Sequence, residues 1–284
     1  MRLVALATLV MVAFAANSIL NRLALETGTT GPAAFAAIRV VAGAIVLSVL
    51  VSLRSGLPRL GGERRWLGTA ALLVYVLGFS FAYVALDAGL GALVLFGGVQ
   101  ITMFAGAILS GDRPPLLRWV GSALALLGLA WLVWPGDAAA PAVPVALMVA
   151  AAIGWGVYSL LGRGAGDALG ETAANFICAA PVALAVWIVI SDALDPRGAA
   201  LAAISGAITS GLGYALWYAV LPKLERTVAA LLQLTVPVIA VAGGAVLIGE
   251  EITLRLVLAS LVILGGVAIG LIGPRQRRTG SSGS

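Results

Sequence analysis

The side chains that most often carry out chemistry in proteins are scarce in this sequence. Histidine is absent and Cys178 is the single cysteine, which removes the usual proton shuttle and any thiolate metal cluster. Acidic residues lie between apolar runs or at their ends, so no buried carboxylate is available to relay protons. The pattern predicts no metal, no cofactor, no enzymatic activity and no nucleic-acid partner.

Arg39 is the one charged residue deep inside an apolar run. It lies about eight residues, or roughly 12 Å, into that run, where an ionised side chain costs about 2.5 to 3.5 kcal/mol. Two interpretations are open. The side chain could extend to the outer interface or pair with Asp87 or Glu26. It could instead face a central pathway and attract the carboxylate of a substrate.

Aromatic residues recur on single helix faces, spaced by three or four residues. The sets are Tyr75, Phe79 and Tyr83; Trp155 and Tyr158; and Tyr214 and Tyr218 with Trp217 beside them. Phenol and indole groups need hydrogen-bond partners in hydrocarbon, which favours faces turned toward the protein interior over faces turned toward lipid. The alternative is that these rings only pack helices together.

Amide side chains add donors and acceptors within the same apolar runs. Each could bind a polar group of a ligand or join two helices by a hydrogen bond. Aromatic, amide and arginine side chains together form the candidate binding set. Its members are Asn17, Arg39, Phe79, Tyr83, Gln100, Trp155, Tyr158, Tyr214, Trp217, Tyr218 and Gln233.

Long apolar runs hold these residues in place. Apolar residues make up 61% of the 284 residues and charged residues only 10%, which excludes a soluble globular domain. The runs are each about 20 residues long, the length that crosses a bilayer as a helix. The predicted spans are 3–22, 32–53, 66–86, 91–110, 116–134, 143–162, 171–190, 199–221, 227–248 and 253–272.

The two halves of the chain resemble each other. Residues 86–130 and 224–268 are identical at thirteen of 45 positions with a constant offset of 138. Outside this stretch the offset drifts, but Phe14 still matches Trp155, which favours a membrane helix at the N-terminus over a signal peptide. Because each half holds five spans, an odd number, the second half is inverted in the membrane. The predicted units are 1–138 and 139–274, each a five-helix repeat, and 275–284, a basic tail ending in what resembles an expression linker.

Lysine and arginine are distributed unevenly between the two sides of these spans. With the N-terminus inside, thirteen lie on inner segments and three on outer segments. Cytoplasmic loops carry the excess of positive charge in membrane proteins. The count predicts that both termini are cytoplasmic and that the protein lies in a bacterial inner membrane.

Over residues 3–272 the chain resembles the drug/metabolite transporter superfamily, in its ten-helix, EamA-type branch. The resemblance rests on the two copies of short-looped helices and on two turns, Gly111-Asp112-Arg113-Pro114 and Gly249-Glu250-Glu251. The aromatic and amide residues resemble those of YddG-type aromatic amino acid exporters. The resemblance implies a central cavity lined by helices 1, 3, 4, 6, 8 and 9, with helices 5 and 10 at the periphery. It places the candidate residues other than Arg39 on lining helices.

These observations favour a transporter that exports small metabolites by alternating access. The resemblance implies amino acids as substrates, including aromatic and apolar ones. The expected partners are that small-molecule substrate and the lipid bilayer, and the protein is expected to act as a monomer. Two alternatives stay open, a multidrug or sugar-related carrier of the same superfamily and a non-transporting scaffold or lipid-handling protein.

Overall fold

The chain folds into a series of helices joined by short connections. The structure is a computed structural model that describes residues 2–56, 60–62, 64–109, 115–133, 141–162, 165–224, 229, 232–233 and 235–272, and these residues contain no strand. The helices are α1 (Arg2–Leu25), α2 (Pro32–Ser55), α3 (Arg65–Ala82), α4 (Ala88–Leu109), α5 (Leu116–Val133), α6 (Ala142–Gly162), α7 (Ala168–Ile190), α8 (Pro196–Lys223), α9 (Thr235–Leu247) and α10 (Leu254–Leu271).

Length and composition indicate which of these helices can cross a membrane. In the described residues, seven helices are long and apolar enough to cross a bilayer, namely α1 to α4 and α6 to α8, and α5, α9 and α10 contain shorter apolar stretches. Large apolar side chains such as Leu53, Val189 and Val246 are more than 80% exposed on the outside, as expected where lipid replaces water. The predicted all-helical, multi-span membrane fold is confirmed.

Two helices stand apart from the others. α5 and α10 pack mainly against each other, and their next contacts are with α4. Their backbones approach closely, since a Cβ added at Gly121 would lie 2.2 Å from the carbonyl oxygen of Gly266. The other helices form the body, in which α2 packs on α7 and α8, α3 on α6, and α1 on α8 and α9.

α8 changes its helical form along its length. It is α-helical over Pro196–Ile204, π-helical over Ser205–Leu212, and α-helical again over Gly213–Val220. The π-helical part lies directly against α2, because a Cβ added at Gly206 would lie 2.0 Å from the carbonyl oxygen of Arg39. Only glycine allows the two backbones to approach this closely.

Antiparallel helices bring charged groups together at two opposite ends of the bundle. Arg22 at the end of α1, Asp87 before α4 and Glu250 before α10 lie together at what we call the Glu250 end. Arg65 at the start of α3 and Glu171 at the start of α7 form an ion pair at the opposite end, which we call the Arg65 end.

Gly206→Ala is expected to lower the melting temperature, because the new methyl group would collide with the α2 backbone and overpacking of this kind costs about 1 to 3 kcal/mol. Gly265→Ala is the matched control, since nothing lies within 4 Å of its added Cβ and alanine is the better helix former. Tryptophan fluorescence during heating in detergent measures both variants. Equal melting temperatures would contradict the close approach of α2 and α8.

Candidate functional site

Ten of the eleven predicted site residues are buried and lie in the interior between the two ends. Gln100 on α4 is the exception, because it is only half-buried. The ten come from α1, α2, the end of α3, α6, α8 and the segment before α9. They are Asn17, Arg39, Phe79, Tyr83, Trp155, Tyr158, Tyr214, Trp217, Tyr218 and Gln233.

Arg39 lies at the centre of this group and is 0% exposed. Its Nε donates a hydrogen bond to Oγ of Ser210 at 2.8 Å. Its Nη2 donates to the hydroxyl oxygens of Tyr75 at 3.0 Å and Tyr214 at 2.6 Å. The guanidinium carbon also lies 5.0 Å from the ring centre of Phe79, within the range of a cation–π interaction. These neutral groups stabilise the positive charge but do not cancel it.

The remaining nitrogen of Arg39, Nη1, has no hydrogen-bond partner in the part of the chain that the structure describes. Among the described residues, no carboxylate lies within ion-pair distance of this guanidinium. Asp87 instead lies 3.5 Å from Arg22, and Glu26 is exposed. The interpretation that Arg39 extends to the outer interface or pairs with either acid is therefore wrong, because three buried hydroxyl groups hold its side chain inward.

Aromatic rings enclose the phenol groups that bind Arg39. The ring centre of Trp155 lies 4.5 Å from that of Tyr214, 5.0 Å from that of Tyr75 and 5.2 Å from that of Phe14. The indole nitrogen of Trp155 donates a hydrogen bond to Oε1 of Gln233 at 3.0 Å. These rings are buried and in contact, so the side chains that line the site pack against one another.

Asn17 joins α1 to the π-helical part of α8. Its Oδ1 accepts hydrogen bonds from the hydroxyl groups of Ser205 at 2.8 Å, Ser210 at 3.2 Å and Thr209. In an α-helix, residues five apart point about 140° away from each other, so Ser205 and Ser210 would not share a face. The wider turn of the π-helix brings both toward Asn17, and π-helical segments frequently occur at functional sites.

Sequence reasoning did not place Tyr75, Phe14 or Ser210 in the candidate set. Tyr75 shares the four-residue spacing of Phe79, which was a usable signal. Phe14 matches Trp155 in the comparison of the two halves and was a weaker one. Ser210 gave no signal, because a serine in an apolar helix commonly bonds to its own backbone and the pattern does not reveal a π-helical turn.

At the Glu250 end, charged groups from both halves of the chain are in contact. Arg22 Nε lies 3.6 Å from Glu250 Oε1, which also accepts a hydrogen bond from the backbone N–H of Ala88 at 2.7 Å. Burial raises the pKa of the Glu250 carboxyl, although the Ala88 bond and the Arg22 charge act in the opposite direction. The turn before it depends on Gly249, whose φ of +76° favours glycine. The predicted turn at 111–114 lies outside the described residues.

Three known proteins are similar to this chain in sequence. An uncharacterized protein of Pseudomonas aeruginosa is 44% identical over 287 residues, covering 100% of this chain and 99% of its own length. A Salmonella typhimurium protein named "Probable amino-acid metabolite efflux pump" is 27% identical and covers 71% of this chain and 74% of its own. An Escherichia coli protein of the same name is 25% identical, covering 72% of this chain and 76% of its own.

The fold itself is shared with a solved crystal structure. The two superpose with a TM-score of 0.66 at 21% identity, covering 93% of this chain and 96% of the other. Multiple apolar spans around a buried polar centre define a multi-pass membrane protein with a polar interior, an architecture that transporters share. Residues 143–272 match the model of the EamA-like transporter family, and the chain belongs to that family. The predicted relation to the drug/metabolite transporters of EamA type is confirmed.

Tyr214→Phe is expected to destabilise the protein by about 1.5 to 3 kcal/mol, because it removes a hydrogen bond to a buried charge. Tyr83→Phe is the matched control, since its hydroxyl donates to the neutral carbonyl of Ala88 at 3.3 Å and its loss costs about 0.5 to 1.5 kcal/mol. Melting temperatures in detergent show which of the two variants loses more stability. A larger loss for Tyr83→Phe would contradict the assigned role of Tyr214.

Proposed function

We propose that the protein exports amino acids and binds the substrate carboxylate at Arg39. The observation that carries the proposal is the buried guanidinium, whose Nη1 has no partner and which meets no carboxylate among the described residues. A buried charge without a counter-charge costs several kcal/mol. Ionised residues inside a membrane commonly mark the path of a substrate. A carboxylate bound at Nη1 supplies the missing counter-charge.

The surroundings of Arg39 suit the rest of an apolar or aromatic amino acid. Tyr75, Trp155 and Phe14 offer ring faces and edges to a side chain. Asn17 and Tyr214 offer hydrogen-bonding groups to its polar atoms. The names of the Salmonella typhimurium and Escherichia coli relatives, which refer to amino-acid metabolite efflux, support the same substrate class.

The charge of the site weighs against two of the other functions that the sequence left open, a multidrug carrier and a scaffold. A buried guanidinium repels cationic drugs, and repulsion is strong where the surroundings are apolar. A scaffold without a ligand would gain no stability from Arg39, because apolar replacements of buried charges are often neutral or stabilising. An anionic group on the substrate accounts for its presence.

Alternating access is supported by the ion pairs at the two ends. Arg22 and Glu250 meet at one end, and the Nη1 of Arg65 lies 2.9 Å from Oε2 of Glu171 at the other. Both pairs are formed in the structure, and each links helices at its own end of the bundle. Transport would then proceed by breaking one pair at a time while the helix bundles rock against each other.

Two inverted repeats, 1–138 and 139–274, are supported by the packing of the helices. If the halves are repeats, each helix of α1–α5 has its counterpart five helices later in α6–α10. The contact of α1 with α8 then corresponds to that of α6 with α3, and the contact of α1 with α9 to that of α6 with α4. The contact of α2 with α8 corresponds to that of α7 with α3. Both members of each of these pairs occur in the structure. Such exchange symmetry is the pattern expected of an inverted-topology repeat.

We place the Arg65 end in the cytoplasm of a bacterial cell, with both termini on that side. Arg54, Arg64 and Arg65 lie at this end, in agreement with the excess of positive charge expected on cytoplasmic loops. Export then carries the substrate from the Arg65 end to the Glu250 end.

Cysteine labelling tests this orientation. In a Cys178→Ala background, Thr27→Cys at the Glu250 end is expected to react with a membrane-impermeant maleimide on intact cells. Gly61→Cys, an exposed site with nothing within 4 Å of its added Cβ, is expected to react only after the cells are permeabilised. Labelling of Gly61→Cys on intact cells would reverse the orientation.

Arg39→Gln is expected to reduce the flux of L-phenylalanine through reconstituted vesicles by more than about tenfold, because loss of one partner of a buried charge pair costs about 2 to 5 kcal/mol. Arg197→Gln is the control, since that arginine is exposed in the first turn of α8. The assay follows labelled L-phenylalanine across the vesicle membrane. Wild-type flux no greater than that of empty vesicles for any amino acid in a panel would reject the substrate class.

The same variant separates binding from folding. Removing the buried charge relieves its desolvation cost, which offsets the loss of its hydrogen bonds to Ser210, Tyr75 and Tyr214. The melting temperature of Arg39→Gln should therefore equal or exceed that of the wild type. A stable variant without transport indicates that Arg39 serves the substrate. A variant that transports normally would show that the guanidinium is not required.

A further inference from the structure

A cavity of about 110 Å³ lies at the Arg65 end, outside the cluster around Arg39. Its lining includes Arg64, Glu171, Asn175 and Tyr218, which bring a guanidinium, a carboxylate, an amide and a phenol to one small space. A cavity that admits one water needs about 10 to 15 Å³. This one therefore has room for an ammonium group and a carboxylate carried on a single carbon atom.

The charged and neutral groups of the lining differ in depth. Arg64 is exposed and Glu171 is 44% exposed at its side chain, so both lie near solvent. Asn175 and Tyr218 are 4% and 2% exposed and form the inner part of the wall. A ligand with one positive and one negative group can pair with both charges while its remaining atoms extend toward the buried amide and phenol.

The inner wall of the cavity leads directly to the partners of Arg39. The hydroxyl of Tyr218 donates to the backbone carbonyl of Tyr158 at 2.9 Å, and their ring centres are 4.9 Å apart. The ring centre of Tyr158 lies 6.4 Å from that of Tyr214, whose hydroxyl binds Arg39. Tyr158 and Tyr218 thus stand between the cavity and the central site.

We propose that this cavity is an entry site that binds the zwitterionic head group of an amino acid before the substrate reaches Arg39. Glu171, whose Oε2 pairs with Arg65, accepts hydrogen bonds from the ammonium group at its other carboxylate oxygen, and Arg64 donates to the carboxylate of the substrate. Tyr158 and Tyr218 then move aside to admit the substrate. The inference rests on the proposed export of amino acids, and it adds that the ammonium group is recognised, which Arg39 cannot do.

Competition in inside-out membrane vesicles, where the Arg65 end faces the medium, tests the entry site. The assay compares how unlabelled L-phenylalanine and 3-phenylpropanoate, which lacks the ammonium group, inhibit uptake of labelled L-phenylalanine. In the wild type, 3-phenylpropanoate is expected to inhibit at least about tenfold more weakly. In Glu171→Gln this preference is expected to fall to about twofold or less. Asp167→Asn, which removes an exposed ion pair with Arg54 at the same end, should retain the wild-type preference.

Two further variants keep the test decisive if Glu171→Gln folds poorly. Glu171→Asp retains the carboxylate and should retain the preference. Arg64→Gln changes an exposed residue and should raise both inhibition constants by the same factor, since both compounds carry a carboxylate.

Each outcome has a definite meaning. A wild-type ratio of the two inhibition constants near one would overturn the entry site. An unchanged ratio in Glu171→Gln, together with unchanged inhibition constants in Arg64→Gln, would do the same. Either result leaves the role of Arg39 standing. If the wild type takes up neither L-phenylalanine nor any other amino acid of the panel, the proposed function is rejected instead.

Discussion

A positive charge buried among rings and hydroxyl groups, without a counter-charge in the described residues, is the constraint on which the rest of this structure depends. Arg39 keeps its charge because Ser210, Tyr75 and Tyr214 accept its hydrogen bonds. A built-in carboxylate would neutralise Arg39 permanently and would compete with a substrate for the same nitrogen atoms. Hydroxyl groups stabilise the ion and leave Nη1 available, which is the arrangement that a reversible anion site requires.

The fold supplies the close approaches that this arrangement needs. Gly206 lets α8 pack directly on the backbone of α2 next to Arg39. The π-helical turn of α8 directs Ser210 toward the guanidinium while Ser205 reaches Asn17. An α-helical α8 would turn one of these hydroxyl groups toward lipid, where it would lack a partner.

Much of the fold and part of the site could be predicted from the sequence, for identifiable reasons. The length and apolarity of the runs determine the spans, because a bilayer accepts only helices or closed barrels. Four-residue spacing identified the aromatic face of α3 that includes Phe79 and Tyr83. Burial of both residues agrees with an inward face, although their contact with a substrate stays a prediction.

The remaining features depend on contacts between distant parts of the chain. The sequence left two interpretations of Arg39, because spacing along one helix does not show whether a neighbouring helix presents an acid or a hydroxyl group to it. The use of Ser210 depends on a helical irregularity that apolar periodicity does not encode. The cavity beside Glu171 and Asn175 arises where the ends of α3, α6, α7 and α8 meet, which no single segment specifies.

The central claim is that Arg39 binds a carboxylate, and equilibrium binding tests it most directly. Calorimetric titration of the purified protein would compare L-phenylalanine with L-phenylalaninamide, which has the same side chain and ammonium group but no carboxylate. The account predicts at least about tenfold tighter binding of L-phenylalanine by the wild type and no such preference in Arg39→Gln. Equal affinities in the wild type, or a preference that survives in Arg39→Gln, would contradict it.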